Sequence, residues 1–113
     1  MDAMVYAGLA SARKFKTIEE IEKVVCKIYE IDITLFKSKT RIREVVDARK
    51  AFYYMVRRLK PKTSLSSIGR YLNQHHATVL HGVNMCNMLI EHDAAFRIKI
   101  NECLNYISAL EKG

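Results

Sequence analysis

Apolar residues recur at every third or fourth position through most of this chain, the spacing of helices with one buried face. Ile18, Ile21, Val24, Val25 and Ile28 form the first stripe, and Thr17 with Glu20 supplies the Thr-x-x-Glu capping box that would open its helix. Residues 31–36 alternate too briefly to assign a strand, and residues 37–41, Lys-Ser-Lys-Thr-Arg, read as an exposed basic loop. A long element follows from about Arg43 to Leu59, with Val45, Ala48, Phe52, Met55, Val56 and Leu59 on its buried side. Pro61 stops it, because proline disfavours helix in the residue before it. A last helix carries Phe96, Ile100, Cys103, Leu104, Ile107 and Leu110 on one face. The pattern predicts an all-α fold, a small domain of five to six helices over residues 17–113. Residues 1–16 form a distinct N-terminal segment, either flexible or an extra helix.

Residues 64–92 carry the most specific local pattern. Leu65, Ile68, Gly69 and Leu72 fall on one face of a short helix, and Gly69 removes a side chain where another helix can approach. Asn73 and Gln74 interrupt the period, and asparagine tolerates a left-handed turn conformation. A new stripe, Val79, Val83, Cys86 and Ile90, begins at once. Two helices joined by so short a turn form a helix-turn-helix, whose second helix can place its N-terminal residues at base edges in a DNA major groove. Here those residues are His75, His76, Ala77 and Thr78, small or hydrogen-bonding rather than core-forming.

Charge sharpens the picture. Ten of the 19 lysines and arginines lie between Lys37 and Lys62, opposed there by Glu44 and Asp47 alone, while the rest of the chain is close to neutral. A basic stripe directly before a helix-turn-helix is the footprint of a phosphate-binding surface. With 113 residues, half of them apolar, the chain can bury roughly 65% of its unfolded surface in one core without metals or disulfides. Cys26, Cys86 and Cys103 are widely spaced within amphipathic runs and read as reduced thiols of a cytoplasmic protein. No apolar run approaches the roughly eighteen residues of a membrane span. Asp2 precedes the apolar part of residues 1–16 while Arg13, Lys14 and Lys16 follow it, the reverse of a signal peptide.

From about Thr17 to Ile107 the chain resembles the C-terminal DNA-binding domain, domain IV, of the bacterial replication initiator DnaA. The matching features come in order: a helix ending in Ile28-Tyr29, then Ser38-Lys-Thr-Arg-Ile-Arg43, then Val45-Val-Asp-Ala-Arg49, a long helix, and Ser64-Leu-Ser-Ser-Ile-Gly69. Last comes His76-Ala-Thr-Val-Leu-His-Gly82, similar to the family's His-Thr-Thr-Val-Leu-His-Ala. The resemblance implies a non-enzymatic, double-stranded-DNA-binding domain that needs no cofactor or metal, acting in replication control or transcriptional regulation and associated with the nucleoid. It assigns Arg41 to a minor groove, where a guanidinium gains from the negative potential of A·T-rich sequence. It assigns His75, His76, Ala77 and Thr78 to base edges in the adjacent major groove. Arg49 matches a family arginine near the DNA backbone; Lys39, Arg43, Lys60 and Lys62 of the basic stripe, and Thr63 and Ser66 near the start of the first motif helix, are further backbone candidates. Arg49 could equally brace the long helix, and the simpler role of the Thr63 and Ser66 hydroxyls is helix capping.

Departures from the family pattern bear on the target site. Gln74-His75 stands where the family has a basic residue and then aspartate, Ala77 replaces a threonine, and the turn is about one residue shorter. Each altered reading position is worth roughly 1–3 kcal/mol of discrimination, enough to change the preferred sequence. The Gly-x-x-x-x-Gly-Lys-[Ser/Thr] phosphate loop of an ATPase is absent, and Met1 with its distinct following segment suggests a stand-alone protein. Two other classes compete. A metal or catalytic site would draw on His75, His76, His81, Cys86 and His92, but no H-E-x-x-H or paired cysteine accompanies them; His81 reads as packed or locally bonded. An interaction module without DNA readout would present Tyr53, Tyr54 and Met55, with the N-terminal segment, as part of a docking or dimer surface, although core packing explains most of them more simply. No small-molecule substrate is implied; oligomeric state and any replication-protein partner stay open.

Overall fold

A computed structural model of the chain describes residues 17–112; the expectation for residues 1–16 lies outside that range. Six helices follow one another, α1 (Ile18–Tyr29), α2 (Ile33–Phe36), α3 (Arg43–Leu59), α4 (Leu65–Tyr71), α5 (His76–His92) and α6 (Ala94–Lys112), and no strand occurs among the described residues.

Helix α1 opens on the predicted capping box: the Thr17 hydroxyl accepts from the Glu20 N–H and the Glu20 carboxylate accepts from the Thr17 N–H. It closes on Glu30, which is left-handed at φ 56°, with the Ile31 N–H donating to Cys26 and the Glu30 N–H to Lys27. That Schellman geometry normally takes glycine. Replacing Glu30 with glycine should therefore stabilise the domain by about 1 kcal/mol, read as a higher midpoint in urea; an unchanged or lower midpoint would show that Glu30 carries no conformational penalty there.

Within residues 31–36, whose alternation is too brief to assign, Ile33–Phe36 form a single helical turn. Asp32 caps it, its carboxylate accepting from the Thr34 and Leu35 N–H groups. One turn is too short to display a helical period. Asp93 likewise does two jobs that the hydrophobic pattern does not reveal: its N–H ends α5 on Leu89, and its carboxylate accepts from the Phe96 N–H to start α6.

The core forms around α3, which packs against α1, α2 and α5, while α6 closes the side formed by α1 and α5. Phe52 lies at its centre, edge-on to Phe36 of α2 at 5.5 Å and stacked on Tyr71 of α4 at 5.8 Å. The predicted stripes are buried in large part: Ile21, Val24 and Val25; Val45, Ala48, Phe52, Met55 and Val56; Ile68 and Leu72; Val79 and Cys86; Phe96, Ile100, Cys103 and Ile107. Leu110 instead stands exposed near the end of α6. The three thiols are unpaired and buried, and burial pushes each up to about 12. They behave as small hydrophobes rather than nucleophiles.

Candidate nucleic-acid interface

The basic loop between α2 and α3 is held by side chains in place of regular backbone hydrogen bonding. Its own hydroxyls make the first layer: Ser38 Oγ donates to the Leu35 carbonyl and accepts from the Thr40 N–H, and Thr40 Oγ1 accepts from the Ile42 N–H. Arg49, in the second turn of α3, makes the second. Its Nε donates to the Phe36 carbonyl at 2.9 Å, Nη1 to Thr40 at 2.8 Å, and Nη2 to Ser38. A rigid planar fork suits three carbonyls at fixed positions, as a lysine would not. Burial lowers the Arg49 pKa from its ordinary value, with Tyr53 acting the other way, yet a guanidinium remains charged throughout. Lys39 and Arg41 project outward from this frame and are exposed.

The helix-turn-helix is built with similar economy. Ser64, rather than Thr63 or Ser66, caps α4, its hydroxyl accepting from the Ser67 N–H at 3.0 Å. Thr63 instead closes the preceding turn, its N–H on the Lys60 carbonyl and its own carbonyl accepting from Arg57 Nη1. Helix α4 ends with Asn73 at φ 57°, the Asn73 N–H donating to Arg70 and the Gln74 N–H to Gly69 at 2.7 Å. Gly69 is needed there because a Cβ would lie 2.4 Å from the Gln74 carbonyl oxygen. The returning turn, more than a neighbouring helix, is what approaches it. His75 then caps α5, its Nδ1 accepting from the Ala77 N–H at 3.3 Å. That bond leaves Nε2 as the outward-facing nitrogen. His75, His76, Ala77 and Thr78 are all exposed or nearly so, the two imidazoles 4.4 Å apart.

Between the loop and α5 runs a groove of about 500 Å³. Lys39, Thr40 and Arg41 form one wall and Gln74, Thr78, His81 and Gly82 the other, with Val46, Arg49, Lys50 and Tyr53 of α3 as its floor. Of the residues predicted to meet DNA, the fold gathers Lys39, Arg41, Arg49 and Thr78 around this groove. His75, His76 and Ala77 lie beside it at the α5 tip. Arg43, Lys60, Lys62, Thr63 and Ser66 do not line it. Arg43 is exposed and pairs with Asp47 at 3.5 Å; Lys62 and Ser66 are exposed, Lys60 and Thr63 half-buried. Arg49 directs three of its donors into the loop, so it braces the loop rather than the long helix that carries it.

Lys50 and His81 belong to the groove although sequence reasoning does not assign them to DNA. His81, expected to be packed or locally bonded, is exposed and stands one turn beyond Thr78 on the same helical face; that three-residue spacing is the signal that could have found it. For Tyr53, Tyr54 and Met55 the simpler reading, core packing, holds over that of a docking surface. Tyr53 and Met55 are buried and Tyr54 is half-buried, because the α1 and α5 contacts close over that side of α3. Cys86 is buried, and among the described residues no three histidine, cysteine or acidic side chains converge on a point that could hold a metal. No helix of these residues is long and apolar enough to cross a membrane.

Comparison with known proteins agrees with this architecture. Residues 18–85 match the family described as bacterial dnaA protein helix-turn-helix, a span from the start of α1 to the middle of α5. The chain belongs to that family. The chromosomal replication initiator protein DnaA of Bacteroides thetaiotaomicron is 34% identical over 100 residues, covering 88% of this chain and 21% of the relative. The DnaA proteins of Rickettsia canadensis and Rickettsia conorii are each 35% identical over 94 residues, covering 82% of this chain and 20% of theirs. The chain thus spans about a fifth of the length of these DnaA relatives. Against the family's motif, the structure supplies a reason for one departure. A Cβ at Gly82 would lie 2.6 Å from Tyr53 Cδ2, so the aromatic ring on α3 occupies the space that the alanine of the DnaA motif would need.

Proposed function

We propose that this domain binds double-stranded DNA, with the tip of α5 in a major groove and the α2–α3 loop carrying Arg41 into the adjacent minor groove. One observation carries the reading: the basic loop and α5 form opposite walls of a single groove floored by Arg49 and Lys50. A phosphate strand separates the two grooves of a duplex, and a cationic channel between two projecting readers suits it. His75, His76, Ala77 and Thr78 then meet base edges. Lys39, Arg43, Lys60 and Lys62 serve phosphates, with Thr63 and Ser66 near the start of α4. Arg49 acts on DNA through the loop it holds. Membership of the DnaA helix-turn-helix family supports a role in replication initiation or its control, in the cytoplasm with the nucleoid. Gln74, His75 and Ala77 set a site preference related to, rather than copied from, the initiator box. The role is binding, with no catalysis and no cofactor.

Substitutions separate the two kinds of contact. Arg41→Ala should weaken binding to a preferred duplex by about 1–3 kcal/mol. Lys60→Ala and Lys62→Ala should weaken all duplexes about equally, and each should reduce the slope of log affinity against log salt by about 0.9. A folded Arg41→Ala protein with parental affinity and preference would remove the minor-groove assignment.

A further inference from the structure

Helix α1 lies away from the groove, yet one of its side chains reaches the roots of both walls. Glu22 is only 3% exposed, the sole charged residue so enclosed among those described. A buried carboxylate is tolerated only with close partners, and the partners of Glu22 come from the two DNA-facing elements. The Tyr71 phenol donates to Glu22 Oε1 at 2.6 Å. Lys37 Nζ stands 3.7 Å from the same oxygen and 4.9 Å from the centre of the Tyr71 ring. Tyr71 is the last residue of α4, immediately before the turn that launches α5. Lys37 follows α2 and opens the basic loop. Phe36 and Tyr71 also share Phe52 as a support. The two elements that must fit one duplex together are therefore tied, at their bases, to a single oxygen.

We propose that Glu22 is a positioning residue of the DNA-binding surface, fixing the spacing between the Arg41 loop and α5 by holding Lys37 and Tyr71 together. The inference rests on the DNA-binding reading above. Its logic is preorganisation: two readers linked at a set distance engage a duplex without ordering the link on binding. Arg49 holds the loop backbone on both sides of Lys37, at Phe36, Ser38 and Thr40, and Glu22 holds the Lys37 side chain to α4. Lys37 is about half exposed, so without the carboxylate's charge its ammonium turns to water and the loop loses its side-chain link to Tyr71 at the end of α4.

A double-mutant cycle tests this, using the full chain at low salt and whichever fluorescein-labelled duplex, initiator-box or scrambled, the parent binds more tightly. Glu22→Gln keeps the shape and an acceptor for Tyr71 but removes the charge facing Lys37. In the parent, Arg41→Ala should weaken binding about tenfold or more. In the Glu22→Gln background it should cost no more than about threefold, since a loop out of register delivers its arginine poorly. Thermal melts of all four proteins accompany the titrations. A merely structural Glu22 would lower the melting temperature and leave the Arg41 cost unchanged; such additivity overturns the proposal. If Glu22→Gln does not fold, the same cycle with Tyr71→Phe, which keeps the ring on Phe52, decides by the same criterion. If Arg41→Ala has no effect in the parent, the minor-groove reading fails and this inference falls with it, an outcome distinct from additivity.

Discussion

Replacing Arg49 with methionine should weaken DNA binding about a hundredfold, more than removal of Arg41 itself. Methionine keeps much of the buried stem but none of the donors that hold the carbonyls of Phe36, Ser38 and Thr40. Without them the loop from Ser38 to Ile42 keeps its hydroxyl bonds and, at its two ends, the Ser38 N–H on Leu35 and the Val46 N–H on Ile42, and Lys39 and Arg41 between them lose their fixed geometry together. Three charge-assisted bonds, each worth about 1 kcal/mol or more net, also imply a fall in stability of roughly 3 kcal/mol or more. Lysine should rescue little of either effect, since a point charge cannot satisfy three carbonyls around a plane. Anisotropy titrations and urea melts on the same protein separate the two losses. Parental affinity in a folded Arg49→Met protein would show that the loop needs no brace to engage DNA.

Gly69→Ala should be the most damaging change in the helix-turn-helix. Its new methyl would meet the Gln74 carbonyl oxygen at 2.4 Å, a backbone atom fixed by its place in the turn. Alanine gains about 1 kcal/mol of helix propensity, but overpacking against immovable backbone costs more, roughly 3 kcal/mol or above. A net loss of about 2–3 kcal/mol follows. The strain also falls on the residues that aim α5. Gln74 bonds back to Gly69 and His75 caps the helix one residue later, so opening the turn displaces the reading tip. Affinity should fall even in conditions where the variant is fully folded. A Gly69→Ala protein as stable as the parent would mean that the turn has another conformation of equal energy.

Legibility in the sequence follows the reach of each signal. The Thr17–Glu20 box and the bounds of α3 are legible because capping and helical period act over three or four residues. The left-handed place of Asn73 is legible for the same reason. Helix α2 is hidden, since four residues show no period and its cap, Asp32, resembles any loop aspartate. The role of Arg49 stays undecided in sequence because its partners are main-chain carbonyls, which every residue possesses. Tyr53 against Gly82, and Glu22 against Tyr71 and Lys37, join helices far apart in the chain; no local pattern announces such contacts. His81 departs from expectation because an exposed groove residue and a packed one share the same helical spacing. The general position of the site comes from charge clustering and the turn, whereas its internal hydrogen bonding requires the fold.

Whether the loop and α5 form one DNA-binding surface is decided most directly by fluorescence anisotropy of the full chain. The titrations use a duplex bearing the initiator box and a scrambled duplex of equal composition, each at two salt concentrations. Binding should weaken steeply with salt for both duplexes, with a slope of roughly −0.9 for each phosphate neutralised. Preference for the box would place the target among initiator sites, and equal binding would place its preference elsewhere. No binding to either duplex at low salt would show that the groove between the loop and α5 is not a DNA-binding surface.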